Sequence, residues 1–100
     1  MLQHNVYFYL KDTLTMEEIE TFEKGINSLL EIDELVEGFV GVPALTDPRP
    51  VIDTQYAYAL STVFEDVNQH DRYQVHPIHQ KFISACKDFW KEVKVYDVEY

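Results

Sequence analysis

Cysteine, glycine and positive charge are all scarce in this chain, and each shortage removes a class of function. With one cysteine, Cys86, no disulfide can close within the chain, which fits a reducing compartment. The three glycines form no phosphate-cradling loop. Eight basic residues face 18 acidic ones, a formal net charge of −10, and nine of the acids lie between Asp12 and Glu37 beside a single base, Lys24. Such a surface repels a phosphate backbone, so no nucleic acid is expected as a partner, and the acids read as a solvated face. No apolar run is long enough to cross a bilayer and no basic leader precedes an apolar segment, so no membrane association is expected and the expected location is cytoplasmic. Internal repeats and low-complexity tracts are also missing.

What is present is a chain of 100 residues, 46% hydrophobic and 14% aromatic, which suits one domain, residues 1–100, with a modest core. From His4 to Leu10 the residues His4, Val6, Phe8 and Leu10 alternate with Asn5, Tyr7 and Tyr9, the period of a strand. Thr15 and Glu18 have the spacing of a capping box, Leu14 and Ile19 that of a hydrophobic staple, and Ile19, Phe22, Ile26, Leu29 and Leu30 recur at helical spacing. A helix over about Met16 to Glu31 follows. Leu35 to Val42 reads as a strand with a bulge or close backbone approach at Gly38 and Gly41, and Pro43, Pro48 and Pro50 break regular structure up to Asp53.

From Gln55 to Phe64 the alternation sets Tyr56, Tyr58, Leu60, Thr62 and Phe64 against Ala57, Ala59, Ser61 and Val63. Both faces are mostly apolar, and helices from so short a chain can cover only one of them, so the second face is expected to meet a partner. An acidic turn or helix spans Glu65 to Tyr73. A second helix then buries Ile78, Phe82, Ala85, Cys86 and Phe89, and Val93 to Val98 close the sheet. The fold class expected is α+β: a ferredoxin-like βαββαβ unit with a four-stranded antiparallel sheet and helices on one face.

Chemistry concentrates between Arg72 and Phe82. If Pro77 takes the first helical position, His76 caps the helix and His79 lies in its first turn, where the positive end of the helix dipole disfavours the imidazolium. A neutral His79 can accept a proton near pH 7.

These residues resemble the stress-responsive dimeric α+β barrel (Dabb) family, marked by a first-strand histidine, a strand ending in Phe-Glu and a Tyr-x-x-His-Pro-x-His-x-x-Phe segment. The counterparts here are His4 in Gln-His-Asn-Val-Tyr-Phe, Thr62-Val63-Phe64-Glu65, and Tyr73 through Phe82, continuing into Phe89-Trp90 and the last strand. The resemblance spans nearly the whole chain and implies a homodimer whose paired sheets cover each other's second apolar face. Some plant members are polyketide cyclases that close a linear polyketide by an intramolecular aldol step, and their acid and base fall on the positions of Tyr73 and His79. By that resemblance the pocket would be lined by His4, Val6, Phe8, Leu60, Trp90, Val95 and Asp97. Glu23 departs from the cyclases, which carry a bulky aromatic there.

Each singled-out residue also has a plain structural reading. His79 can close its helical turn through hydrogen bonds, His76 can serve as a cap alone, and His4 can be a satisfied core histidine. His4, His70, Asp71 and Asp97 could supply ligands beside His76 and His79, but those two are three apart across a helix start and point their rings apart. No metal site and no cofactor is therefore expected. Cys86 reads as inert packing. Three functions follow in turn: a homodimer binding a small carbonyl or phenolic ligand, an enzyme with His79 as base and Tyr73 as oxyanion donor, and a structural dimer without a ligand.

Overall fold

Nine regular elements follow one another in the computed structural model, which describes all 100 residues. Strand β1 (Leu2–Leu10) leads into helix α1 (Met16–Ser28), whose last turn tightens into a 3-10 turn at Leu29–Glu31. Strands β2 (Glu37–Gly41) and β3 (Tyr58–Phe64) come next, then α2 (Val67–Val75), α3 (Pro77–Cys86), a 3-10 turn at Lys87–Phe89 and β4 (Trp90–Glu99). The strands form one antiparallel sheet in the order β2-β3-β1-β4, the ferredoxin-like arrangement. Register pairs His4 with Thr62 on one side and Asp97 on the other, and Val6 with Leu60 and Val95, so one face of three strands is fixed by β1.

Local chemistry accounts for the helix boundaries. Thr15 accepts the Glu18 N–H at 3.1 Å while the Glu18 carboxylate accepts the Thr15 N–H at 2.9 Å, so the capping box spacing is realised at the start of α1. Asp66 caps α2 by accepting the Gln69 N–H. His76 ends α2 and begins α3: its backbone is extended, as the residue before a proline prefers, and its Nδ1 accepts the Ile78 N–H at 3.0 Å. Pro77 then opens α3 without losing a hydrogen bond.

The core lies between the sheet and the helices. Phe8 packs with Phe22, Phe82 and Trp90 at ring separations of 5.3, 5.8 and 5.2 Å, and Phe22, Ile26 and Phe64 are wholly buried. Burial of each such side chain contributes about 1.5–3 kcal/mol.

Two expectations change, and one of two alternatives is chosen. The strand read from Gln55 begins only at Tyr58, so the alternation does not extend to Tyr56; that ring crosses to the other face and packs edge-on against Tyr7 and Tyr9. The loop between β2 and β3 thereby covers part of the outer face, and Tyr9, buried there, donates its hydroxyl to Asp53 at 2.6 Å. β2 runs in continuous register without a bulge; Gly38 makes the close approach, since a Cβ there would meet Leu35 at 2.8 Å, while Gly41 has open space.

Candidate functional site

Three strands and two helices bring the polar residues of the sequence to one place. His4, Val6 and Phe8 of β1 and Leu60 of β3 form the floor of a cavity of about 150 Å³, with Trp90, Val93 and Val95 of β4 along one side. Tyr73 and Gln74 of α2, His79, Phe82 and Ile83 of α3, and Leu29 close it from the helix side. Four larger depressions, among them a groove between α1 and α3 around Gly25 and Cys86 and an outer-face hollow at Tyr7, Tyr56 and Tyr96, are lined by no histidine.

Tyr73 is fully buried, and its hydroxyl has no hydrogen-bond partner in the protein. Burial pushes its ionisation far above the ordinary phenol range, so it is a proton donor at any physiological pH. His79 meets the Tyr73 ring edge-on at 4.9 Å, and its ring nitrogens make no hydrogen bond. Its pKa lies below the ordinary imidazole value, first because of burial and then because His4 and His70 are near. Burial thus adds to the expected neutrality of His79 a cause that the sequence argument, which relied on the helix terminus, did not include. The hydrogen bonds that a purely structural His79 would make are absent.

His4 is held from both ends. Its Nδ1 lies 2.5 Å from Asp97 Oδ1, its Nε2 lies 3.4 Å from Gln74 Nε2, and its carbonyl accepts the Thr62 hydroxyl at 3.0 Å. Burial lowers its pKa, partly opposed by the Asp97 carboxylate. Asp97 is thus a partner of His4 and does not line the cavity, unlike His4, Val6, Phe8, Leu60, Trp90 and Val95. Gln74 and His70, joined at 3.2 Å, are the polar residues that the sequence argument passed over as anchors; their i, i+4 spacing was the available signal.

His76 is engaged as the cap of α3 and stands apart from the cavity. Glu23 does not line the cavity either; it accepts the Tyr58 hydroxyl at 2.5 Å, and burial together with this carboxylate holds Tyr58 up to about 12. Cys86 is buried, its thiol pushed up by burial, which suits packing and not nucleophilic attack. No helix is long and apolar enough to cross a membrane.

Solved structures share this architecture. A dimeric ferredoxin-like protein of unknown function from Thermobifida fusca superposes with a TM-score of 0.78 at 19% identity, covering 99% of this chain and 90% of that one. A Dabb family protein from Mesorhizobium loti gives 0.76 at 23% identity, with 99% and 95% covered. The hydroxynitrile lyase of Passiflora edulis gives 0.75 at 17% identity, with 97% and 90% covered. None of the curated proteins matches the chain. Residues 2–100 match the family described as Stress responsive A/B Barrel Domain, Dabb, and with the ferredoxin-like sheet and the His-Pro segment in place, this chain belongs to that family.

Proposed function

We propose that the chain works as a homodimer that holds a small, partly apolar carbonyl or phenolic compound between sheet and helices, with Tyr73, His79 and His4 as polar anchors. The observation that carries this reading is the Tyr73 hydroxyl, buried without an acceptor in the cavity wall beside a neutral His79. An unsatisfied buried hydroxyl costs on the order of 1–3 kcal/mol, which a ligand oxygen accepting its proton would offset. A volume of about 150 Å³ limits the occupant to roughly one six-membered ring, the size of cavity that accommodates benzene. Dimerisation is supported by the exposed aromatic outer face and by neighbours described as dimeric.

The same pair supports catalysis as a second reading. A neutral His79 removes a proton alpha to a carbonyl while Tyr73 donates to the oxygen on which charge develops, the intramolecular aldol chemistry of the plant cyclases that the sequence resembles. A third reading, a structural dimer with no ligand, rests on the cavity's small size.

A thermal-shift screen with phenols and small ketones on wild type, Tyr73→Phe and His79→Ala separates the three. A bound compound at a hundred times its Kd stabilises the wild type by about 2.7 kcal/mol. The expected result is a clear shift in wild type and a smaller one in both variants. Turnover that disappears in His79→Ala with affinity kept would make it an enzyme, and a flat response to every compound would leave the ligand-free dimer.

A further inference from the structure

Two imidazoles point their unprotonated nitrogens at one spot. His4 Nδ1 faces Asp97 Oδ1 at 2.5 Å, and His70 Nδ1 faces Asp71 Oδ1 at 3.2 Å. An ionised carboxylate only accepts, so each Nδ1 carries the ring proton and each Nε2 presents a lone pair. Both lone pairs are turned to the same group, the Gln74 side-chain nitrogen, 3.4 Å from His4 Nε2 and 3.2 Å from His70 Nε2. The rings themselves meet edge-on at 4.7 Å.

An amide NH₂ shared by two histidine nitrogens, each ring backed by a carboxylate, reproduces with hydrogen bonds the arrangement found around protein-bound metal ions. We propose that His4 and His70 bind a divalent transition-metal ion of the zinc class through Nε2. Gln74 then turns its amide to offer its carbonyl oxygen in place of its NH₂, and water or a ligand completes the coordination. Ligand type favours this class of ion, because imidazole suits zinc, copper and nickel, whereas magnesium and calcium prefer oxygen donors throughout.

The framework is suited to the task. His4 sits on the central strand, locked by Asp97 and by the Thr62 hydroxyl on its carbonyl. His70 and Gln74 are one turn apart on α2 and project from the same side of the helix. Both Nε2 atoms already lie within 3.4 Å of one atom, Gln74 Nε2, so a small side-chain adjustment gathers the set, and the Asp97 carboxylate that backs His4 belongs to the same cluster. His4 is buried, but the His70 side chain keeps 15% of its surface and the Asp97 side chain 47%, which leaves an ion a way in. The histidine pair weighed from the sequence, His76 and His79, is not the one assembled, because His76 is committed to capping α3.

The inference does not depend on the ligand proposed above, and its test uses no organic compound. Chelator-treated protein is titrated with zinc chloride by calorimetry and with cobalt(II) by visible absorption, for wild type and for His70→Ala, His4→Ala, Asp97→Asn and His76→Ala. One ion per chain is expected in wild type and His76→Ala, with saturable binding lost in His4→Ala and His70→Ala. Asp97→Asn should weaken binding about 10–100-fold by freeing the His4 ring. His70 lies on α2 outside the central strand, and a second variant, His70→Gln, fills its space without an imidazole, so with circular dichroism confirming its fold it decides the matter even if His4→Ala fails to fold. Absence of one-to-one saturation, or equal uptake by wild type and His70→Ala as expected of ions scattered over the acidic surface, would overturn the proposal.

Discussion

On the helix side of the sheet, Phe8, Phe22, Phe64 and Phe82 are shielded from water, whereas on the outer side Phe39 and Tyr96 keep 58% and 57% of their surface. Both sides draw on the same residue types, so the contrast comes from what lies over them. Three helices press on the first; only Tyr56 and Asp53, from the loop before β3, lean over the second. An aromatic left exposed on one side therefore marks a missing neighbour and not a weaker preference for burial. The covered side also carries a polar pocket, which is possible only because His4 and Thr62 find partners within it.

Removing an aromatic from each side should break the symmetry of composition most sharply. Phe22→Ala is expected to lower stability by about 3–5 kcal/mol in urea unfolding, because it empties the centre of the core. Phe39→Ala, measured at concentrations too low for association, should stay within about 0.5 kcal/mol of wild type. If the two losses came out equal, the difference between the faces would have no energetic meaning.

Next in size is an effect on association. Phe39→Glu combined with Tyr96→Glu places charge on the outer face, and sedimentation should show dimer dissociation strengthened by at least about 2 kcal/mol, roughly 30-fold in Kd, with the circular dichroism unchanged. A wild type that sediments as a monomer at every concentration would sink the dimer and leave the outer face without an occupant.

A smaller change, of opposite sign, is expected inside the pocket. Tyr73→Phe removes the orphaned hydroxyl and should raise stability by about 1 kcal/mol, where most core substitutions lower it. Loss of stability instead would mean that the hydroxyl is satisfied in solution and that the pocket is no more poised for a ligand than the rest of the core.

Acidification should give the smallest effect. His79, facing Tyr73 and within the influence of His4 and His70, has a folded-state pKa below its unfolded value of about 6.5. The unfolded chain then binds the proton more readily, so stability is full above about pH 6.5 and declines as pH falls through that value toward the lower folded pKa. The decline should be smaller in His79→Gln, the remainder coming from His4, whose pKa burial also lowers, when melting temperatures are compared between pH 7 and pH 5 in chelator-containing buffer.

Much of this was legible in the residues themselves. The His4-to-Leu10 alternation, the Thr15–Glu18 box and the Pro77 helix start are local signals, and each became the element its chemistry requires. What escaped depended on the third dimension. Tyr56 switched faces because the strand starts three residues later than the pattern ran, and the enclosure that lowers the His79 pKa comes from the fold and not from the local sequence. The meeting of His4 with His70 and Gln74 was also hidden, since nothing along the chain tells which face of α2 settles over β1.

The central place of β1 has a kinetic consequence. Both neighbours that complete its ladder, β3 and β4, come from the second half of the domain, so β1 has no hydrogen-bonding mate until residues 58–64 follow, and its other edge stays open until residues 90–99. Such non-local closure slows folding relative to helical proteins of equal length, and the nascent chain carries an unpaired, aromatic-rich strand for most of its synthesis. A chaperone that sheltered this strand before the sheet closes would shorten that exposure.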